Sequence, residues 1–308
     1  MPPEDHLLTE ARNPRSEGID ALDAAGIVAL MNAEDAKVVE AVRAESAAIA
    51  QAIEAAAAAL RAGGRIVYVG AGTSGRLGVL DASECPPTFG TPPERVVGVI
   101  AGGEPALTRS IEGAEDQPEA GAAEMDRLEV GPRDLVVGIA TSGRTPFVLG
   151  AVERARQRGA RTAGLACNRP SRLGERVDIE IAPLVGPEVI AGSTRLKAGT
   201  ATKMILNMIT TGAMVLNGKT FGNRMIDLTP VNEKLRMRSR RILRELARVD
   251  DGCAERLLRE SGMRLRTALV MGLAGVGVEE ADRLLAENRN QVRAAVAAAR
   301  REASGDAR

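Results

Sequence analysis

The sequence predicts an α/β fold, a mostly parallel sheet covered by helices on both faces, with a small helical piece at the C-terminus. Three observations predict it. Short apolar runs alternate with helix-like segments from Arg65 to Leu216, the pattern of strand–helix–strand units with parallel strands. After Asp250 the character changes to short, charged segments of helical pattern. The 308 residues suit one large domain and a smaller one, at about 150 residues per domain.

Taken in order, residues 1–32 read as an extended lead-in containing Pro2, Pro3, Pro14 and Gly18. A long helix is expected next, with Asn32 as N-cap, Asp35 at its third position and Gly63-Gly64 as its stop. Val38, Val42, Ile49, Ile53 and Leu60 give it an apolar stripe in an alanine-rich context that favours helix. The run Arg65–Val69 stops at Gly70 and reads as a buried strand. Further strands are expected at Val96–Ile100, Leu135–Ile139, Arg161–Ala166 and Ile179–Ala182. Between them lie helical segments at Gly75–Ser83, Pro105–Glu112, Ala120–Leu128 and Pro146–Gln157, then a longer one at Ser193–Leu216 with Met204, Ile205, Met208 and Ile209 as core candidates. The C-terminal piece offers Cys253–Ser261, Leu265–Gly272, Val278–Asn288 and Gln291–Glu302, and Ala303–Arg308 is expected to fray. The organisation expected is a lead-in and helix over 1–49, the α/β domain over 50–220, and a linker with the helical domain over 221–308.

Composition excludes several function classes. The 41 basic and 41 acidic side chains cancel, and the pI is about 6.7, so neither nucleic acid nor an anionic membrane is an expected partner. Aromatic residues are only Tyr68, Phe89, Phe147 and Phe221, too few for base-stacking platforms or aromatic sugar grooves. The single histidine, His6, excludes His-based zinc sites, argues against a catalytic triad, and falls in what reads as a mobile tail. Cys85, Cys167 and Cys253 are scattered, which argues against a disulfide framework and for a reducing cytoplasm. Met1–Asn13 carries acids and no apolar core, so no secretory leader is expected, and no stretch is apolar enough to span a membrane.

One internal similarity carries chemistry. Val67–Arg76 can be laid over Leu135–Arg144: each has an apolar strand, a glycine (Gly70, Gly138), then Thr-Ser-Gly-Arg entering a helix. Glycines permit close approach, N–H groups at a helix start carry partial positive charge, and hydroxyls add donors. Two such loops beyond the carboxyl ends of adjacent strands can grip one phosphate. Each loop alone is equally a strand-to-helix turn with serine as N-cap. Gly70–Gly75 also fits the G-x-G-x-x-G dinucleotide pattern, but that needs an acid ending the second strand, and Glu94 precedes Val96–Ile100.

Three further stretches hold candidate groups. Asp81-Ala-Ser-Glu-Cys-Pro-Pro87 is expected to end a helix near Glu84, because Pro86 disfavours helix at Cys85. A carboxylate at the negative end of a helix dipole tends toward a raised pKa and suits a general acid; the alternative is a solvated helix-end glutamate. Cys85 reads as a small core residue rather than a nucleophile, since no base accompanies it. Glu112–Glu119 crowds four acids, which makes a base candidate or a charged surface turn. In Gly186–Gly199, Ser193 can cap the next helix and Glu188 and Lys197 can reach a polar ligand.

Together these residues resemble a family. Thr9-Glu-Ala-Arg-Asn13, Gly70–Gly78, Asp81–Pro87, Ala101-Gly-Gly-Glu104, Glu112–Asp116, Ser142-Gly-Arg-Thr-Pro146, Gly192–Thr200 and Asn232-Glu-Lys-Leu235 are similar to stretches of the N-acetylmuramic acid 6-phosphate etherases, of the sugar isomerase (SIS) fold superfamily. The resemblance runs from about Thr9 to about Arg293. It implies a three-layer α/β/α SIS domain over roughly residues 50–220, and a homodimer with its sites near the subunit interface. It implies that Glu84 is the acid written as proton donor and Glu115 the second catalytic glutamate. Gly72, Thr73, Ser74, Ser142, Gly143 and Thr145 would form the phosphate cradle, with Glu188, Ser193 and Lys197 as further substrate-binding candidates. It implies elimination of D-lactate followed by addition of water, with no metal or organic cofactor. A non-catalytic sugar-phosphate regulator and an aldose–ketose isomerase on the same fold are the competing expectations.

Overall fold

The computed structural model describes residues 7–227 and 233–304. His6, Asn232 and residues 305–308 lie outside the described residues, so the expectations placed on them stay at the level of sequence. The chain divides into two compact units, Met1–Glu84 with Pro93–Ala213, and Cys85–Pro92 with Met214–Arg308.

In the first unit, α1 (Ala24–Ala44) starts where Asp23 Oδ1 accepts the Gly26 N–H at 2.8 Å. Asp23, not Asn32, is the cap, and Asn32 lies inside the helix. The expected single long helix is also divided. Glu45 interrupts it before α2 (Ser46–Arg61), and the Glu45 carboxylate accepts from the Arg169 guanidinium at 3.2 Å and the Ala182 N–H at 3.0 Å. That tertiary anchor holds the backbone out of helical register.

Alternation follows: β1 (Ile66–Gly70), α3 (Gly72–Phe89), β2 (Val96–Ile100), α4 (Pro118–Arg127), β3 (Leu135–Ile139), α5 (Pro146–Gln157), β4 (Arg161–Leu165), β5 (Ile179–Ile181) and α6 (Lys197–Leu216). The five strands form one parallel sheet in the order β2-β1-β3-β4-β5, with Gly70 opposite Ile100 on one side and Ile139 on the other. β1 and β3 are buried at every residue, as central parallel strands must be. Side chains alternate across the sheet. Val67, Val69, Val136 and Ala140 meet Met125 of α4 and Phe147, Val148 and Val152 of α5. On the opposite face, Gly78 of α3 lies so close that a Cβ there would be 3.0 Å from Tyr68 Cβ. The Tyr68 hydroxyl donates to the Leu206 carbonyl of α6 at 3.5 Å, and Ile53 of α2 packs on Gly212 of α6. Two helices thus cover one face and three the other, the expected three layers.

Three local expectations are corrected. α3 runs through Pro86 and Pro87 to Phe89 rather than stopping near Glu84; burial of Cys85 and Phe89 offsets the ladder bonds the prolines forfeit. Pro105–Glu112 is not a helix but a short 3₁₀ turn at Glu104–Leu107 followed by irregular chain. The Arg76 guanidinium takes the Leu107 and Arg109 carbonyls at 3.0 Å each, acceptors a helix would need. α6 begins at Lys197, not Ser193.

The second unit holds a short antiparallel pair, β6 (Thr220–Phe221) with β7 (Arg224–Met225), then α7 (Glu233–Ala247), α8 (Asp251–Glu260), α9 (Leu265–Ala274), α10 (Val278–Glu287) and α11 (Val292–Ala303). Leu243, Leu258, Leu269, Leu284 and Val296 share its core. The helical region starts before Asp250. α7 lies in the stretch expected to be linker, where Ile242 and Leu243 stay on the buried side of an otherwise arginine-rich helix. Among the described residues no helix is long and apolar enough to cross a membrane.

Candidate active site

The strand order places the site. The chain leaves β1 toward β2 on one side and continues toward β3 on the other, so a crevice opens beyond the carboxyl ends of β1 and β3. The two Thr-Ser-Gly-Arg stretches begin there, side by side.

On the β1 side, α3 starts at once. Thr73 and Ser74 lie in its first turn, and the Gly75 N–H donates to the Ala71 carbonyl at 3.2 Å. Gly75 must lack a side chain, since a Cβ would sit 2.6 Å from Ile100 Cγ1 and 2.8 Å from the Gly70 carbonyl. Gly72 and Thr73 keep solvent-facing surface, while Ser74 is buried. Thr73 Cγ2 would lie 3.7 Å from a Cβ on Gly199, which brings the starts of α3 and α6 together.

On the β3 side, Thr141–Gly143 makes a tight turn first. The Gly143 N–H donates to the Ala140 carbonyl at 2.7 Å, and Gly143 has φ +70°. The Arg144 N–H donates to Ser142 Oγ at 3.3 Å. Thr145 precedes α5 with Pro146 in the first helical position and makes no side-chain cap bond. Ser142 and Thr145 are part-exposed, as is Thr73 on the β1 side.

The two glutamates lie apart. Glu115 sits in a 3₁₀ turn, Ala114–Asp116, and is exposed. The chain before it packs beyond β2: Ile100, Gly102, Ile111, Glu112 and Ala114 wall a cleft of about 350 Å³. Glu115 therefore belongs to the same end of the sheet as the hydroxyl loops. Glu84 does not. It is exposed in the body of α3, and at 1.5 Å per residue it stands about 15 Å along the axis from Ser74. The helix-end argument for its acidity loses its basis, because five more helical residues follow it. One turn before it, Asp81 is buried; burial pushes its carboxyl up, against a bond from Asn207 Nδ2 at 2.6 Å.

The third candidate stretch makes contacts within the unit. Glu188 and Lys197 are each 1% exposed and already committed inside the unit. Glu188 accepts the Lys197 and Ala198 N–H groups at 3.0 Å each, so it, not Ser193, caps α6. Lys197 Nζ donates to Glu34 Oε2 at 2.9 Å. Ser193 remains part-exposed in the loop before α6.

Sequence reasoning missed Glu34 and Asn168. Glu34 is fully buried in α1 and receives Asn13 Nδ2 at 2.9 Å, Lys197 Nζ at 2.9 Å and Lys37 Nζ at 2.6 Å. Burial pushes its carboxyl up, but the bonds from Lys37, Lys197 and Asn13 outweigh it and hold the group at about 2. A signal existed: Glu34, Val38 and Val42 fall at helical spacing on one face, and they are the buried residues of α1. Asn168, after β4, carried no such pattern. Cys85 is buried, as expected of a core residue. Burial, with Glu188 adding to it, pushes the Cys167 thiol up to about 12. Among the described residues no group of three or more His, Cys, Asp or Glu side chains is placed to hold a metal ion.

Comparison with known proteins agrees with this fold. Residues 48–156 match the glucokinase regulatory protein N-terminal SIS domain, and residues 114–212 match the SIS domain. An N-acetylmuramic acid 6-phosphate etherase of Rhodopirellula baltica is 53% identical over 281 residues, 91% of this chain and 93% of that one. This chain belongs to the N-acetylmuramic acid 6-phosphate etherase family. Other etherases of the family are as similar: that of Rubrobacter xylanophilus is 54% identical over 96% of this chain and 97% of its own. That of Gloeobacter violaceus is 57% identical over 88% and 89%. The matched span takes in both hydroxyl loops, Glu84, Glu115 and the helical C-terminal region.

Proposed function

We propose that this chain cleaves the D-lactyl ether of N-acetylmuramic acid 6-phosphate, a carbon–oxygen lyase reaction that yields N-acetylglucosamine 6-phosphate and D-lactate. The observation that carries it is the identity of half or more of the residues with etherases across nearly the whole chain, on a sheet whose switch point holds two hydroxyl loops. The phosphate sits between the loops, bound by Gly72, Thr73 and Ser74 from one side and Ser142, Gly143 and Thr145 from the other. Ring opening exposes an aldehyde at C1, which acidifies the C2 proton. Glu115 removes that proton. The electrons form the C2–C3 double bond as the C3–O bond breaks, and Glu84 protonates the departing ether oxygen. Water then adds at C3 and a proton returns to C2. The carbonyl of the open sugar is the electron sink. Each proton-transfer group contributes about 10²–10⁴-fold.

The protein works as a homodimer in the cytoplasm on this reading. Three cysteines scattered along the chain, with no disulfide framework expected of them, support a reducing compartment. Glu84 supports the dimer: standing about 15 Å along α3 from Ser74, it serves the crevice of a second copy, whereas Glu115 serves its own. Mixing Glu84→Gln with Glu115→Gln, each inactive alone, should then restore lactate release in mixed dimers; no recovery would sink the shared site. The reaction itself is tested by incubating the protein with N-acetylmuramic acid 6-phosphate in ¹⁸O-labelled water. Free lactate and ¹⁸O at C3 of the product sugar are expected. Sugar-phosphate binding without lactate would overturn the etherase and favour a regulator like the protein whose SIS domain matches residues 48–156.

A further inference from the structure

We infer that Asn168 is a positioning residue for the phosphate cradle, and that it works by locking the segment Leu8–Asn13 against the peptide that precedes Ser142. Asn168 is 3% exposed and uses both ends of its amide. Oδ1 accepts the Leu8 N–H at 2.8 Å, and Nδ2 donates to Thr9 Oγ1 at 3.2 Å and to the Thr141 carbonyl at 3.0 Å. The same carbonyl accepts the Cys167 N–H at 2.8 Å.

Two donors on the Thr141 oxygen fix more than that oxygen. A trans peptide is rigid and holds its C=O and the next N–H in one plane, pointing opposite ways. Holding the Thr141 carbonyl toward Asn168 therefore aims the Ser142 N–H away from it. Ser142 has few means of its own to hold that direction, because α5 does not begin until Pro146. Asn168 supplies from outside what a helical turn supplies on the β1 side.

Leu8–Asn13 carries the same tension to the other candidate loop. The Gly192 N–H, next to Ser193, donates to the Thr9 carbonyl at 3.2 Å. Asn13 Nδ2 bridges the Pro187 carbonyl at 3.1 Å and Glu34 at 2.9 Å, on the carboxylate that also holds Lys197. Thr9 and Asn13 are both buried. The stretch Thr9-Glu-Ala-Arg-Asn13, which the reaction leaves without a role, thus braces the loops that carry Ser142 and Ser193. This inference rests on the reading that Ser142 binds the substrate phosphate.

Asn168→Asp tests it. The aspartate keeps an acceptor for Leu8 but sets an oxygen against the Thr141 carbonyl. KM for the sugar phosphate and the dissociation constant for inorganic phosphate should both rise about 10- to 100-fold, the effect of misplacing hydrogen bonds to a charged group, with kcat moved less than about threefold. Binding of unphosphorylated N-acetylglucosamine should be unchanged. Thr9→Val removes one acceptor and keeps the shape, so a rise of about two- to fivefold in the same two constants is expected, and this variant serves if Asn168→Asp does not fold. Unchanged phosphate affinity in a folded variant would overturn the inference. So would an equal loss for phosphate and for unphosphorylated sugar, the mark of a general structural defect. Calorimetric titration with inorganic phosphate needs no turnover, so its result stands apart from whether lactate is released.

Discussion

Thr73-Ser74-Gly75-Arg76 and Thr141-Ser142-Gly143-Arg144 are the same four residues at the ends of adjacent strands, and they fold differently. The first are helical from the start: α3 opens at Gly72, and Gly75 sits in its first turns. The second form a turn with Gly143 at φ +70°, and α5 waits until Pro146. The cause lies downstream. Pro146 fits the first helical position, and it pushes Thr145 out of the helical region, to φ −51° and ψ 113°. Leu77-Gly78 after the first loop imposes no such stop. Identical tetrapeptides thus give two kinds of donor. The β1 loop is held by its own helix, and the β3 loop by Asn168, which bonds the segment Leu8–Asn13, and by the Leu173 N–H on the Gly143 carbonyl at 3.0 Å.

The largest break in this comparison is Gly143→Ala. It forces alanine to φ +70° and places a Cβ 2.4 Å from Ser171 Cβ, so a loss of about 2–4 kcal/mol is expected in chemical denaturation. Adding Ser171→Gly should recover the steric part and leave about 1–2 kcal/mol of backbone cost. No recovery would show that the turn, not the clash, dominates.

Acid should separate the two loops by nearly as much. Glu34 is held at about 2 from an ordinary 4.5, so its contribution is full above the unfolded value and is lost as pH falls from about 4.5 toward 2. The shift corresponds to about 3 kcal/mol. Hydrogen exchange over that window should open Gly192 and the Leu8–Asn13 segment before the β1 loop. Glu34→Gln should flatten the fall of stability with acid, and a slope equal to the wild type would rule the linkage out.

Gly75→Ala should cost less than Gly143→Ala. Its backbone is helical, so only overpacking on Ile100 and the Gly70 carbonyl counts, about 1–3 kcal/mol. Equal melting shifts for the two glycine variants would erase the distinction drawn between the loops. Smallest are Ser74→Ala and Ser142→Ala. Each deletes one hydroxyl from the proposed cradle and should raise KM for the sugar phosphate about 3- to 12-fold, from about 0.7–1.5 kcal/mol. A change in only one would assign the phosphate to a single loop.

Much of this was legible before folding. Val96–Ile100 and Leu135–Ile139 form strands over the very residues expected, because each is a short apolar run bounded by turn residues. Pro146 marked the start of α5 correctly for the same local reason. Asn32 misled because Asp23 caps the helix earlier, and Pro86-Pro87 misled because burial of Cys85 and Phe89 outweighs a local helix-breaking preference. Glu188 and Lys197 had the chemistry of ligand-binding groups, yet both are committed to holding the chain on itself.

The sequence by itself determined the alternating α/β order, the two hydroxyl loops and the family to which they belong. These rest on interactions between near neighbours: apolar periodicity, helix caps, and glycine or proline at fixed offsets. Only the tertiary structure decided that β1 and β3 are adjacent, that Glu84 stands about 15 Å along α3 from Ser74, and that Glu34 and Asn168 bond to Asn13 and Thr9 of the N-terminal segment. Those facts depend on residues far apart in the chain meeting in a buried place. There a carboxylate or an amide is stable only when fully hydrogen-bonded, and the partners that satisfy it are set by packing rather than by spacing.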